Sequence, residues 1–107
     1  MLDKTKRAAK FMGYPVVILQ GFEYYELSDK EIIPIEDYKP YEELGRHWLV
    51  EIERKLTFEQ FDSYIELIEE QLVRNGVLTE EKWPIAEHLV RVAPSELCFE
   101  KLMEVIK

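Results

Sequence analysis

This chain of 107 residues is poor in the side chains that usually carry chemistry: it has one cysteine, two histidines and four glycines. A single cysteine, Cys98, excludes an intrachain disulfide and fits a reducing cytoplasm. His47 and His88 stand far apart, whereas a metal site needs three or four convergent ligands. There is no glycine-rich phosphate loop and no Ser/His/Asp arrangement, so the sequence assigns no catalytic residue, no cofactor and no metal, and the protein is read as non-enzymatic. Long apolar runs are missing too. The longest, Val16-Val17-Ile18-Leu19, is strand-sized and far below the roughly 18 residues of a membrane span. The basic N-terminus lacks the apolar region of a signal peptide, so a cytoplasmic protein is expected.

Positive charge is also scarce. Fourteen basic residues against 22 acidic ones give a net charge of −8, which disfavours direct binding to a phosphate backbone. The basic residues are unevenly placed: Lys4, Lys6, Arg7 and Lys10 make residues 1–10 net +3, leaving −11 on the rest. A solvated helix face is the ordinary reading of such a run. The sharper one is a patch that meets the acidic body of a second copy, which makes a homodimer an expected arrangement.

What the chain has is helical periodicity and a short aromatic sheet. The 47% apolar content excludes wholesale disorder and suits one domain over residues 1–107. Its centre is a helix pair at 40–56 and 58–75. Pro40 suits a first helical turn, and Tyr41, Leu44, Trp48, Ile52 and Leu56 recur at the three- and four-residue steps of one buried face. Glu42, Glu43, Arg46, Glu53 and Arg54 are expected opposite. Gly45 inside this pattern costs about 1 kcal/mol against Ala, a cost that a close approach to another backbone would explain.

Thr57-Phe58-Glu59-Gln60 is a capping box, with Leu56 and Phe61 placed for the accompanying hydrophobic staple. The second helix then carries Phe61, Tyr64, Ile65, Ile68 and Leu72 inward and ends at Asn75-Gly76. Before this pair, Asp3 caps a helix over 4–12 that stops at Gly13. Three strands follow: Val16-Val17-Ile18-Leu19, a Gln20-Gly21 turn, residues 22–27, a polar turn at 28–31, and Ile32-Ile33-Pro34-Ile35. Pro34 restricts the third to an edge or a strand end. After Gly76, Val77-Leu78 suits the core, Thr79-Glu80-Glu81-Lys82 suits a helix start, and Trp83-Pro84 interrupts it. Residues 85–92 fit either helix or strand. Pro94 opens a last helix with Leu97, Cys98, Leu102, Val105 and Ile106 inward. The expected fold is α+β, about three antiparallel strands packed with four to five α-helices.

Candidate chemistry is thin. Glu43 and Glu51 flank His47 at four-residue spacing, which suits helix-face ion pairing far better than metal or acid–base work. Cys98 sits among core positions and reads as a buried thiol. The aromatic residues around the sheet, Tyr24, Tyr25 and Tyr38 among them, are interleaved with acids where base stacking would need cations. They suit the core or a protein-contact surface. Asp62, Glu66, Glu69 and Glu70 form an acidic stripe on the second helix. These seven residues are the candidate interaction surface.

Three short segments carry a resemblance to a known family. Ala8-Ala9-Lys10-Phe11-Met12-Gly13-Tyr14, the Trp48-Leu49-Val50-Glu51 helix segment and Val92-Ala93-Pro94-Ser95-Glu96-Leu97-Cys98 resemble motifs of the phage ABA-sandwich domain family. The resemblance implies a phage or prophage origin and a layered α/β fold, and transfers no catalytic residue. Residues 57–83 depart from it, with a second helix where the family tends to have further strands. The expected function is therefore a phage-type accessory protein acting through protein–protein contacts. The alternatives are an acidic mimic of DNA that inhibits a host nucleic-acid enzyme, and a small enzyme or metal-binding protein using the His47 face.

Overall fold

The computed structural model describes residues 2–76 and 93–106. In chain order these form helix α1 (Leu2–Met12), strands β1 (Val16–Leu19), β2 (Phe22–Ser28) and β3 (Glu31–Pro34), and helices α2 (Arg46–Lys55), α3 (Phe58–Arg74) and α4 (Ser95–Val105). Single 3-10 turns occupy Ile35–Asp37 and Glu43–Gly45. The α+β architecture is the expected one, an antiparallel meander in the order β1-β2-β3 packed with helices. The expectations for 77–92, and His88 with them, lie outside the described residues.

Local chemistry accounts for the element ends. Helix α1 starts at Leu2, so Asp3 sits in its first turn rather than capping it. At the other end Gly13 N–H donates to Lys10 O and Tyr14 N–H to Ala9 O, both at 3.0 Å, the paired bonds of a Schellman stop. The β1–β2 turn has Gln20 at φ 54° and Gly21 at φ 83°, both left-handed as a two-residue hairpin requires. Across β2–β3 the register slips between Glu26 and Ser28, a bulge at Leu27, and Pro34 ends the edge strand β3 opposite Tyr24. At α3 the Thr57 hydroxyl accepts from Gln60 N–H at 3.2 Å, and the Gln60 side-chain carbonyl accepts from Thr57 N–H at 3.0 Å, completing the capping box.

The first half of the helix pair departs from expectation. Pro40 and Tyr41 lie in a turn, a 3-10 turn follows, and the α-helix begins only at Arg46. Leu44, assigned to the buried face, is 90% exposed. It precedes the α-helix, so the 100° step that would align it with Trp48 does not reach back to it. Gly45 explains the break: a Cβ there would stand 2.0 Å from Lys39 O, so this is the close backbone approach its presence suggested. The inward residues of α2 are Leu49 and Ile52.

Helix α4 is the common support of the helical layer, with α1, α2 and α3 all packed against it. Its Cys98, Phe99, Leu102 and Met103 are buried, as is Ile106 just beyond it; Phe99 and Met103 join the residues expected there, while Leu97 and Val105 are only half-buried. They meet Tyr64, Ile65, Ile68 and Leu72 of α3 in one core that also takes in Ala8 and Ala9. Helix ends are closed by charged side chains from other elements. Glu43 Oε1 accepts from Ser95 N–H at 2.8 Å, at the start of α4, where Pro94 offers no side-chain cap. Arg7 Nη2 donates to Met103 O at 2.8 Å near its end, and Lys55 Nζ donates to Phe11 O near the end of α1. Such bonds satisfy backbone groups that helix termini leave open.

Candidate interaction surface

Two polar sites of the helical layer use residues expected on the outside. Arg46 Nη1 donates to Ser95 Oγ at 3.0 Å and to Glu43 Oε2 at 3.1 Å, while Nη2 donates to Ala93 O at 2.9 Å. The Ser95 N–H holds the Glu43 carboxyl below the usual range, helped by Arg46, against a smaller opposing effect of desolvation. Deeper in, Tyr64 OH donates to Glu53 Oε2 at 2.7 Å. Burial raises the Glu53 carboxyl, while that hydrogen bond works the other way. Arg46 and Glu53 therefore tie helices together instead of lining a wet face, while Glu43 does so from an exposed position, as expected. Burial likewise pushes up the thiol of Cys98, which is fully buried with Sγ 3.8 Å from Ala93 O. This is the inert thiol the sequence suggested.

The His47 face does not assemble. Both Glu43 oxygens are engaged by Ser95 and Arg46, Glu51 accepts from Tyr14 OH at 3.3 Å, and the imidazole leans on Trp48 with ring centroids 4.4 Å apart. Burial, with Glu51 adding to it, pushes the Tyr14 phenol up to about 12, so it is a neutral donor there. Among the described residues no cluster of three or more His, Cys, Asp or Glu could hold a metal, and no helix is long and apolar enough to cross a membrane.

The candidate residues divide. Tyr25 and Tyr38 are buried, 5.5 Å apart edge-to-face, with Tyr14 and Trp48 also against Tyr38. They hold the sheet onto α2 and are withdrawn from the surface, because their side of the sheet is the side the helices cover. Tyr24, one residue away, points to the opposite face, as strand alternation requires. On α3, Asp62, Glu66 and Glu70 are exposed and Glu69 half-buried, and the three glutamates share a shallow depression of about 500 Å³ with Arg74.

The unexpected feature is the sheet itself. Directly paired residues share a face, so Val17, Leu19, Phe22, Tyr24, Glu26, Ile32 and Pro34 lie on the outer one. Of these Leu19, Ile32 and Phe22 are exposed, Phe22 by 67%. On the inner face the helices cover Tyr25 and leave Val16 exposed and Ile18 exposed by 68%. The hairpin thus presents apolar side chains on both faces. Beside it, a groove of about 570 Å³ runs between α1 and the inner face, lined in part by Lys6, Lys10, Tyr14, Val16, Glu23 and Tyr25.

No family model, curated protein or solved structure matches this chain.

The functional reading therefore rests on the surface alone. Phe22 belongs to the sheet aromatics expected in the core or at a contact, whereas Leu19, Ile18 and Ile32 were missed because a strand apolar on both faces ordinarily signals full burial. The available signal was topological: in a three-stranded meander the first strand is an edge, and an edge strand without charge is unusual.

Proposed function

We propose that this protein is a non-enzymatic interaction module that meets its partner through the outer face of the sheet and the adjoining β1 edge. The observation that carries the reading is the exposed apolar pair Leu19 and Phe22, flanked on the same face by Val17 and Tyr24, with exposed Ile32 farther along β3 beside Glu26. Contiguous apolar exposure of this kind marks contact sites. A cytoplasmic accessory role of phage or prophage type agrees with the sequence resemblance. A second reading, an acidic surface that copies the charge of DNA, is supported by Asp62, Glu66 and Glu70 standing exposed on α3.

One experiment separates them. Tagged protein is used to capture partners from bacterial lysate at low and high salt, beside a Phe22→Asp/Ile32→Asp variant. Capture that survives high salt and disappears in the variant supports the sheet. Capture lost at high salt but kept by the variant overturns it in favour of the acidic helix.

A further inference from the structure

We propose that the partner of the β1 edge is a second copy of this chain, joined antiparallel so that two meanders make one six-stranded sheet. The proposal rests on reading the sheet as a contact surface and names its occupant.

The two edges of the sheet are treated differently. The β3 edge carries Glu31 and Pro34, and the strand beside it bulges at Leu27, all devices that block further pairing. The β1 edge carries none. Residues 15–21 contain no ionisable side chain, so two molecules each carrying −8 can meet there without placing like charges in contact.

Backbone direction fixes the register. Glu26 N–H donates to Pro15 O at 2.9 Å, so Pro15, Val17 and Leu19 turn their polar groups toward β2. Val16 and Ile18, the alternate residues, turn theirs outward to an edge that is open among the described residues. A symmetric pairing centred on Val17 sets Val16 against the second copy's Ile18 and uses all of these groups, in four hydrogen bonds. Centring on Ile18 would require Gln20, which is left-handed at φ 54°. Centring on Val16 would require the Tyr14 N–H, already donated to Ala9 O. The Val17 register is the one the free groups permit.

Side chains agree with it. On the inner face it brings the exposed Ile18 beside the second copy's Val16, at the mouth of the α1 groove where Lys6 and Lys10 stand, with Glu23 in the same row. The exposed parts of Val16, Ile18 and Leu19 amount to roughly 300 Å² per copy, so a pair removes on the order of 600 Å² of side-chain surface. That is below the roughly 1,000 Å² of a stable specific interface, so the association is weak and reversible rather than obligate.

The test is sedimentation velocity from micromolar to submillimolar concentration, joined with cysteine cross-linking. The wild type should pass from monomer to dimer mass, and Ile18→Lys, which puts a charge on the edge, should weaken association at least tenfold while keeping its helical circular dichroism. Phe22→Ser should still dimerise; if it alone abolishes the dimer, the copies stack through the outer face and edge pairing is wrong. In the Val17 register the two Val17 Cα atoms stand about 4.5 Å apart, within disulfide reach. Oxidised Val17→Cys should therefore cross-link, while Leu19→Cys and the wild type, whose Cys98 is buried, should not. Cross-linking through position 19 instead overturns the register. A monomer at every concentration overturns the second copy as occupant, and leaves the contact surface to be judged by lysate capture.

Discussion

The Tyr38 hydroxyl is buried without a hydrogen-bond partner among the described residues, in a ring of aromatic side chains. Burial raises its ionisation far above the usual phenol range, so it remains a neutral, unpaired group. Tyr38→Phe removes that group and keeps the ring, and should stabilise the fold by about 1 kcal/mol in urea unfolding. Glu53 makes a second residue-scale prediction. Its folded-state carboxyl is raised by burial, so across the interval above the ordinary glutamate value the unfolded chain binds fewer protons than the native one. Its contribution is fully present below that value and is lost as pH rises through the folded one. Glu53→Gln keeps an acceptor for Tyr64 and removes the charge. The variant's melting temperature should match the parent's below about pH 4, exceed it increasingly as pH rises from there, and level off once the folded carboxyl has ionised.

At the scale of elements, the start of α2 is the most constrained point in the chain. A Cβ at Gly45 meets the Lys39 carbonyl at 2.0 Å and the Trp48 ring at 2.9 Å, and backbone cannot step aside as a flexible side chain can. Gly45→Ala should therefore cost about 3 kcal/mol, at the upper end for overpacking, despite the better helix propensity of alanine. The same element separates what was legible from what was not. The α3 cap was readable because Thr57 and Gln60 answer each other three residues apart. The α2 start was not, because it is set by Glu43 and Arg46 reaching α4, some 52 residues away for the Glu43–Ser95 bond. Strand order followed from turn spacing and Pro34. Burial of Tyr25 but not Tyr24 did not, since it depends on which face the helices cover.

At the scale of the molecule, charge and apolar surface are segregated: acids on the outer side of α3, an uncharged strand at the β1 edge. Two copies that each carry −8 repel at long range while their contact is apolar, so added salt should tighten dimerisation or leave it unchanged. Weakening by salt would point to charge-driven association. The most direct test of the contact surface is amide hydrogen exchange at Val16 and Ile18, followed by NMR across a dilution series. Both N–H groups point away from β2, so in the monomer they should exchange freely, and at high concentration they should become protected together. Fast exchange of both at every concentration would contradict the account.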